Sequence, residues 1–433
     1  MKKTEFQRRR RQLMKMIGDD GVAIVCSAPV QIRSRDTEYR YRQDSDFYYL
    51  TGFPEPEAVA VLAPGRENGE YLLFCRERDR ERERWDGHRS GPEGAVHRYA
   101  ADDAFPIDDI DDILPGIMES RRCVFFTMGA YADFDARITE WVKSLRRQGS
   151  SGAHTPYEFI ALDHLLHDMR LYKSRAEVTA MRKAARVATD AHLAAMRATR
   201  PGSFEYELEA ALIHEFRRNN ACHSYSPIVG SGANSCVLHY VENDQPLKDG
   251  DLVLIDAGCE LDYYASDITR TFPVNGRFSP EQRAVYEIVL EAQYAAIDKV
   301  QPGNHWNDPH DAAVRVITEG LRKLGLLKGT LSRLIKDEAY REFFMHRTGH
   351  WLGIDVHDVG DYKVGDEWRL LESGMVMTVE PGVYLPASRK LPAKFRNIGI
   401  RIEDDVAVTA SGHDVLSKHL PKDADDIERL VAA

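Results

Sequence analysis

Short apolar runs, separated by glycine, proline and charged residues, mark the first 170 residues. Four of them, GVAIV, EAVAVL, EYLLFC and CVFFTM, have the length and flanks of β-strands. Apolar residues recur at helical spacing over residues 4–17, 133–145 and 159–166. This mixture predicts a mixed α/β domain over residues 1–170.

A signal for the start of a helix lies just after these first 170 residues. Ser174 and Glu177 form an S-x-x-E capping box, so a helix is predicted to begin at Arg175. Further helices are predicted over 205–219, 280–300 and 306–324, and strands in GMVMTVEPGVY and NIGIRIEDDVAV. Because strands and helices do not alternate regularly, the pattern indicates an α+β fold with antiparallel sheet, and a second domain over residues 171–433.

Composition excludes several classes of partner for this chain of 433 residues. A net charge of −11 without a concentrated basic surface argues against nucleic acid. No apolar run reaches 18 residues, so no membrane span is expected, and the basic first twenty residues indicate an amphipathic helix rather than a targeting segment. The six cysteines lack CxxC spacing, which is typical of reduced thiols in a cytoplasmic protein.

Four carboxylates end or interrupt apolar strands: Asp256, Asp267, Glu380 and Glu403. The first two would lie on opposite faces of one straight strand, but a hairpin around residues 260–262 would bring them to one side. Taken singly, each suits a turn, a cap or, for Glu403, a half-exposed pair with Arg401. Together they would repel one another and take up protons, so two divalent cations are expected to balance them. An oxygen-rich set favours Mn²⁺, Co²⁺ or Mg²⁺ over a thiolate zinc site.

The stretch MHRTGHWLGIDVHDVG, residues 345–360, can add a histidine ligand. His346 and His350 are four apart, as in a helical HExxH zinc site, but Arg347 stands where that motif needs glutamate. The glycines of this stretch also disfavour a helix. A strand or loop that passes close to the carboxylates is therefore predicted. Elsewhere, VGSGANS lacks the ending of a phosphate loop, and no GxSxG elbow occurs.

Five residues occur in the order of the ligands of the "pita-bread" metallopeptidases, each in a matching local motif. They are Asp256 in LIDAG, Asp267 in SDITRTF, His350 in GHWLG, Glu380 in TVEPG and Glu403 in IRIED. This group includes aminopeptidase P, prolidase, methionine aminopeptidase and the metal-free creatinase. Over nearly its whole length the chain resembles the Xaa-Pro aminopeptidase (aminopeptidase P) family. The resemblance implies a creatinase/prolidase-like domain over 1–170 and a pita-bread catalytic domain over 171–433, its antiparallel sheets flanked by helices.

Three segments resemble the Xaa-Pro aminopeptidases more than their relatives. They are residues 39–62, ERWDGHRSG with Trp85, and VGSGANSCVLHYVEND with His239. In the family the tryptophan approaches a neighbouring subunit's active site, which implies a homo-oligomer, a dimer or a tetramer. One departure is visible, because many members have glycine where this chain has Arg347. Its side chain is expected either to narrow the site or to point away from it.

The resemblance also implies a cofactor and roles for the ligands. Two divalent metal ions, Mn²⁺ first and Co²⁺ or Zn²⁺ as alternatives, would bind the five ligands, with Asp267 and Glu403 bridging. Glu380 would also pass a proton from the attacking water to the leaving proline nitrogen.

Further residues would act on the substrate or on the ligands. His357 and His239 would steady the substrate carbonyl, and His346 would lie near the site. Arg401 would pair with a ligand carboxylate, and Tyr384 would line the pocket or support it.

The implied reaction is release of the N-terminal residue from peptides with proline in the second position. The scissile bond is then a tertiary amide without an N–H and with a fixed φ, so it needs a dedicated pocket. Two alternatives stay open. One is a prolidase restricted to Xaa-Pro dipeptides, and the other is a pita-bread protein that binds without catalysis, which the presence of all five ligands disfavours.

Overall fold

The computed structural model describes residues 1–432, which form two compact units. The first unit comprises Met1–Met169, and the second begins at Arg170. Among the described residues, no helix has both the length and the apolar character needed to cross a membrane.

The first unit is built on one mixed sheet. Its helices are α1 (Lys3–Ile17), α2 (Ser45–Thr51), α3 (Glu83–Asp86), α4 (Gly91–Tyr99), α5 (Ile110–Met118), α6 (Ala132–Arg147) and α7 (Asp163–Leu171), and its strands are β1 (Gly21–Cys26), β2 (Ile32–Ser34), β3 (Thr37–Glu38), β4 (Val59–Leu62), β5 (Tyr71–Cys75), β6 (Asp103–Pro106), β7 (Cys123–Phe126) and β8 (Glu158–Ala161). Six strands pair in the order β6-β5-β4-β1-β7-β8, with β1 antiparallel to β4 and parallel to β7. The predicted mixed α/β domain is confirmed.

One predicted helix of this unit is wrong in its first half. The segment 159–166 was expected to be helical, but residues 158–161 form β8, and the helix begins only at Asp163. Phe159 pairs with Val124 of β7 in a parallel ladder. The open edge of β7 offers backbone hydrogen bonds that local helical spacing does not reveal, so pairing overrides the local pattern. The other predicted helices of the chain agree with the structure to within three residues at each end.

The second unit combines antiparallel sheets with flanking helices. Its helices are α8 (Arg175–Ala198), α9 (Glu205–Arg218), α10 (Pro280–Ile297), α11 (Asp308–Lys323), α12 (Leu331–Lys336) and α13 (Ala424–Ala432), and its strands are β9 (Cys222–His223), β10 (Ile228–Ser231), β11 (Leu252–Asp256), β12 (Cys259–Leu261), β13 (Tyr264–Ala265), β14 (Thr269–Pro273), β15 (Lys363–Val364), β16 (Glu367–Trp368), β17 (Val376–Val379), β18 (Gly382–Leu385), β19 (Ile398–Arg401), β20 (Asp404–Thr409) and β21 (Gly412–Val415). The strands pair as β10-β11-β14, β13-β12-β9, β15-β16, β17-β20-β21 and β18-β19, all antiparallel. The predicted α+β class is confirmed.

The helix predicted from the capping box starts where the sequence places it. The Ser174 backbone N–H donates to Glu177 Oε2 over 2.9 Å, and the Glu177 N–H donates to Ser174 Oγ over 3.4 Å. Glu177 Oε1 also accepts a hydrogen bond of 3.1 Å from the Tyr264 hydroxyl. The cap therefore fixes the first turn of α8 against the hairpin that precedes Asp267.

The pairing of β11 with β14 brings the two aspartates to one end of a sheet. Asp256 lies directly opposite Thr269, and Asp267 comes two residues before Thr269. The chain between them folds back as the β12–β13 hairpin, whose turn residues Asp262 and Tyr263 have φ of 51° and 69°. The hairpin predicted from the odd spacing of the aspartates is present.

A second pair of ladders brings the two glutamates, Glu380 and Glu403, near each other. Val379 lies opposite Asp404 in the β17–β20 ladder, and Gly382 lies opposite Arg401 in the β18–β19 ladder. Glu380 and Glu403 each occupy the short break between one ladder and the next. The two breaks therefore face each other.

Candidate metal centre

One cavity of about 570 Å³ collects the candidate site residues of the second unit. It is lined by carboxylates, histidines and basic residues (Asp256, Asp267, Glu380, Glu403, His239, His346, His350, His357, Arg347 and Arg401) and by apolar and aromatic residues that include Ile228, Leu238, Val241, Val356 and Tyr362. Four strands or strand ends and two irregular segments, one with His239 and one with His346 to His357, thus deliver their polar side chains to one space.

The loop that carries His350 passes unusually close to β17. The His350 N–H donates to Thr378 Oγ1 over 3.1 Å, and the Thr378 N–H donates to the His350 carbonyl over 3.0 Å. A Cβ on Gly349 would lie only 2.1 Å from the Thr378 carbonyl oxygen, so this approach requires glycine. Residues 346–350 are irregular, so the expectation of a loop rather than a zinc-site helix is confirmed.

The orientation of the His350 ring suits a ligand. Its Nδ1 lies 3.0 Å from the carbonyl oxygen of Trp351, to which Nδ1–H donates. Its Nε2 is then directed at the carboxylates, 3.3 Å from Asp267 Oδ2 and 3.6 Å from Glu380 Oε1. A backbone carbonyl that holds Nδ1–H leaves the Nε2 lone pair for a cation. One ligand atom each from Asp267, His350 and Glu403 lie within 4.8 Å of one another.

Asp256 is held by two groups. Arg401 Nη2 donates to its Oδ2 over 2.5 Å, and the Tyr225 hydroxyl donates to its Oδ1 over 2.5 Å. Tyr225 also forms a short hydrogen bond to Asp267 Oδ1. Because a phenol has a single proton, Tyr225 can donate to only one of the two carboxylates at a time. Tyr225 was not predicted from the sequence, because it lies in the irregular segment after β9 and carries no periodic or motif signal.

Glu403 and Arg401 are buried rather than half-exposed. Thr269 Oγ1 donates to Glu403 Oε2 over 2.6 Å, and Arg401 Nε lies 3.3 Å from the same threonine oxygen. The remaining Arg401 nitrogen, Nη1, donates to the Tyr384 hydroxyl over 2.9 Å. The alternative weighed for this segment taken singly, a half-exposed edge strand with an Arg401–Glu403 pair, is therefore wrong, because Arg401 is 4% exposed and its ion pair is with Asp256.

The pKa values of the carboxyl groups in the cavity indicate whether these residues suit a cation. Burial and the nearby carboxylates of Asp267 and Glu380 raise the pKa of Glu403 well above its usual value. Burial raises the pKa of Glu380 to about 7, although His350 and Arg401 oppose this change. Burial also raises the pKa of Asp256, against the attraction of Arg401. Crowded carboxylates of this kind bind protons unless a cation replaces them.

The pKa of His350 reflects the same concentration of negative charge around it. Burial alone would lower its pKa, but the hydrogen bond to Asp267 and the charge of Glu380 raise the pKa of His350 to about 9. The four carboxylates carry a formal charge of −4, and Arg401 offsets one unit of it. Four carboxylates and one imidazole form the oxygen-rich donor set that divalent ions such as Mn²⁺ prefer, so the residues fit such ions.

The other histidines predicted for the site also line the cavity. The rings of His357 and His350 meet edge to face with centroids 4.3 Å apart. His346 Nε2 lies 2.9 Å from the Tyr384 hydroxyl, and its Nδ1 lies 3.9 Å from Glu380 Oε2. His239 also lines the cavity, and its side chain is exposed.

Two predicted residues lie outside the cavity lining of the described chain. Tyr384 is 1% exposed and contacts His346 and Arg401 from behind, so it supports the wall rather than forming it. Trp85, on α3 of the first unit, is 88% exposed. Its intersubunit role stays a prediction.

A buried ionic network supports the backbone beside Glu403. Arg270 donates to the carbonyl of Glu403 over 2.6 Å through Nη1 and to Asp404 Oδ1 over 2.8 Å through Nη2. Asp404 Oδ2 accepts from Lys422 Nζ over 2.7 Å and from Gln293 Nε2 over 2.8 Å. This network, which the sequence analysis also missed, joins β14, β20, α10 and the segment before α13.

Family models match both units of the chain. Residues 179–410 match the metallopeptidase family M24, and residues 6–125 match the aminopeptidase P N-terminal domain. The chain belongs to metallopeptidase family M24. This confirms the predicted family, and with it the M24 pita-bread fold of the second unit.

The relatives of this M24 chain cover its whole length. Xaa-Pro aminopeptidase of Escherichia coli K12 is 44% identical over 431 residues, which are 99% of this chain and 98% of that protein. The structure of Pseudomonas aeruginosa aminopeptidase PepP is 59% identical, with a TM-score of 0.99 over 100% of this chain and 98% of that one. Zinc-substituted E. coli aminopeptidase P in complex with product is 44% identical, with a TM-score of 0.97 and the same coverage.

Proposed function

We propose that this protein is a metal-dependent aminopeptidase that releases the N-terminal residue from peptides with proline in the second position. One observation carries the proposal: five ligand-type side chains converge in a single cavity of a chain that matches Xaa-Pro aminopeptidases from end to end. Catalysis is assigned to residues 171–433, and residues 1–170 form the creatinase/prolidase-like domain.

Five side chains would hold two divalent ions: Asp256, Asp267, His350, Glu380 and Glu403. Mn²⁺ is the proposed ion, with Co²⁺ or Zn²⁺ as alternatives. When bound, such ions act as Lewis acids that polarise a carbonyl oxygen and make a water molecule acidic enough to attack at neutral pH.

The chain's own residues position the reactants and move the proton. Glu380, held by Thr378 over 3.2 Å and placed between His346 and His350, would accept the proton of the attacking water and return it to the leaving proline nitrogen. His239 and His357 would donate hydrogen bonds to the substrate carbonyl oxygen as negative charge develops on it.

The cavity offers each end of the substrate a suitable environment. The amino terminus would lie beside the proposed metal ligands, where the bound ions balance the charge of the carboxylates. The proline ring, which lacks an N–H, would pack against apolar side chains such as Ile228, Leu238 and Val356. This combination accounts for a preference for proline at the second position.

The assembly and location of the protein are further proposals. We expect a dimer or a tetramer in which Trp85, an exposed indole, approaches the site of a neighbouring subunit. All six cysteines are free thiols, as expected of a protein kept in the reducing cytoplasm.

Removal of divalent ions is expected to abolish activity reversibly. Protein dialysed against EDTA should not cleave Arg-Pro-Pro, and Mn²⁺ should restore release of arginine, measured by liquid chromatography. Arg-Ala-Pro is the matched control and should be cleaved poorly. Undiminished cleavage by protein shown to be free of metal would contradict the proposed centre.

Peptide length separates an aminopeptidase from a prolidase. We expect Arg-Pro-Pro and the same sequence extended by two residues to be cleaved with a higher kcat/KM than the dipeptide Arg-Pro, because the chain is similar to Xaa-Pro aminopeptidase over 99% of its length. Cleavage of the dipeptide alone would instead identify a prolidase.

A further inference from the structure

Arg347 places a positive charge on the wall of the cavity, away from the proposed ligands. Its Nη2 donates to Asn307 Oδ1 over 2.7 Å, and its guanidinium carbon lies 4.7 Å from the centroid of the Trp368 ring. Asn307 immediately precedes α11, and Trp368 ends β16. Two separate elements therefore fix a side chain that is otherwise exposed, and it lines the cavity rather than pointing away from it.

The guanidinium keeps most of its hydrogen-bonding capacity for a ligand. Arginine has five N–H donors, and one nitrogen is engaged by Asn307. Each of the three nitrogens of Arg401, in contrast, already has a protein partner: Thr269, Tyr384 or Asp256. In the described chain, Arg347 forms no ion pair with a carboxylate.

A second cation lies near Arg347. Lys363 Nζ lies 4.7 Å from the centroid of the same Trp368 ring. Arg347 also opposes the effect of burial, which raises the pKa of Asp311 in α11. A ligand that meets Arg347 in the cavity therefore finds a positive charge that no carboxylate neutralises through an ion pair.

We propose that Arg347 binds a carboxylate on the part of the peptide that follows the proline. Its source is the C-terminal carboxylate of a short substrate or an acidic side chain at the third position. The inference rests on the proposed function, since it assumes that the amino terminus lies at the carboxylate cluster. The carboxylate end of the peptide then extends towards Arg347.

Distance and geometry are compatible with this placement. Arg347 directly follows His346, whose ring lies 3.9 Å from Glu380. An extended peptide advances about 3.3 Å per residue, so the third residue lies only about 7 Å beyond the scissile bond. The planar guanidinium fork matches a carboxylate with two parallel hydrogen bonds, which a lysine ammonium cannot reproduce.

The test compares matched peptides that differ in one negative charge. Ala-Pro-Ala with a free C-terminus is compared with its C-terminal amide, and Ala-Pro-Asp-Ala-Ala amide with Ala-Pro-Asn-Ala-Ala amide. The wild-type protein loaded with Mn²⁺ should favour the charged member of at least one pair by about fivefold in kcat/KM, mainly through KM, as expected for an exposed ion pair. The pair that shows the preference identifies the source of the carboxylate.

Substitutions assign that preference to Arg347. R347Q should bring the charged-to-uncharged ratio close to one, and R347K should retain part of it. R341Q is the matched control, because Arg341 is exposed and pairs with Glu338 outside the main cavity, and it should keep the wild-type ratio. Since the readout is a ratio within one variant, a general loss of activity cancels.

The outcomes separate this inference from the proposed function. Cleavage of all four peptides by the wild type without a charge preference, or an unchanged ratio in R347Q, overturns the role of Arg347 and leaves the proposed function standing. Failure to cleave any of the four overturns both.

Discussion

Glu380→Gln is expected to lower kcat by about 10²- to 10⁴-fold, the range for loss of a general acid–base group. The amide has the shape of the carboxyl group but cannot accept and return the proton. The fold should survive, because Glu380 adds to the crowding of like charges that raises the pKa of its neighbour Glu403. Steady-state kinetics at saturating Mn²⁺, with metal content measured on the same sample, checks this.

A matched control separates chemistry from a general effect of losing a carboxylate. Glu372→Gln removes an exposed carboxylate that accepts a hydrogen bond from Tyr172, and it should leave kcat unchanged. Wild-type kcat in Glu380→Gln would remove Glu380 from the mechanism. A lowered kcat with the full complement of metal would locate the loss in proton transfer rather than in metal binding.

Asp404→Asn is expected to lower the free energy of unfolding by about 3 to 5 kcal/mol, which is the cost of removing one partner of a buried ion pair. Arg270 and Asp404 are both buried, and 15% of the Lys422 side chain is exposed, so the substitution leaves two cations without their counter-charge. Asparagine can keep some hydrogen bonds but not the charge. Urea denaturation of wild type and variant at pH 7, both without metal, measures the change.

The pH dependence of the same variant gives a second check. Although burial alone would raise it, the charges of Arg270 and Lys422 hold the pKa of Asp404 far below its usual value. A carboxyl with a depressed pKa stabilises the fold above the pKa of the unfolded chain, about 3.9, and loses that effect as the pH falls further. The difference between wild type and Asp404→Asn should therefore shrink in acid.

An exposed ion pair serves as the control for this prediction. Asp426 pairs with Arg429 one turn apart on α13, where both side chains are well exposed. Asp426→Asn should change the free energy of unfolding by less than about 0.5 kcal/mol. If Asp404→Asn costs no more than this control, the buried network does not stabilise the second unit.

Features encoded locally were predictable from the sequence. The capping box of Ser174 and Glu177 located the start of α8 because all its hydrogen bonds lie within four residues. The odd spacing of Asp256 and Asp267 implied a hairpin because side chains alternate along a strand. The order of the candidate ligands could be read because each sits in its own short motif.

Features that depend on distant pairing were not predictable. Residues 158–161 become β8 only because β7 offers an open edge. Tyr225 reaches two carboxylates from a segment without any pattern, and Arg270 meets Lys422 across 152 positions of the chain through Asp404. Such contacts depend on tertiary packing, which neither propensity nor spacing encodes.

The length of the β12–β13 hairpin does not determine the geometry of the proposed metal centre. Asp256 ends one side of the β11–β14 ladder, and Thr269 begins the other, so the ladder alone sets their alignment. The turn at Asp262 and Tyr263 lies outside that ladder. Extra residues inserted there, such as a short peptide tag or a fluorophore attachment site, would lengthen the hairpin without shifting either aspartate. This turn is therefore a natural place to attach a probe that reports on the centre from its periphery.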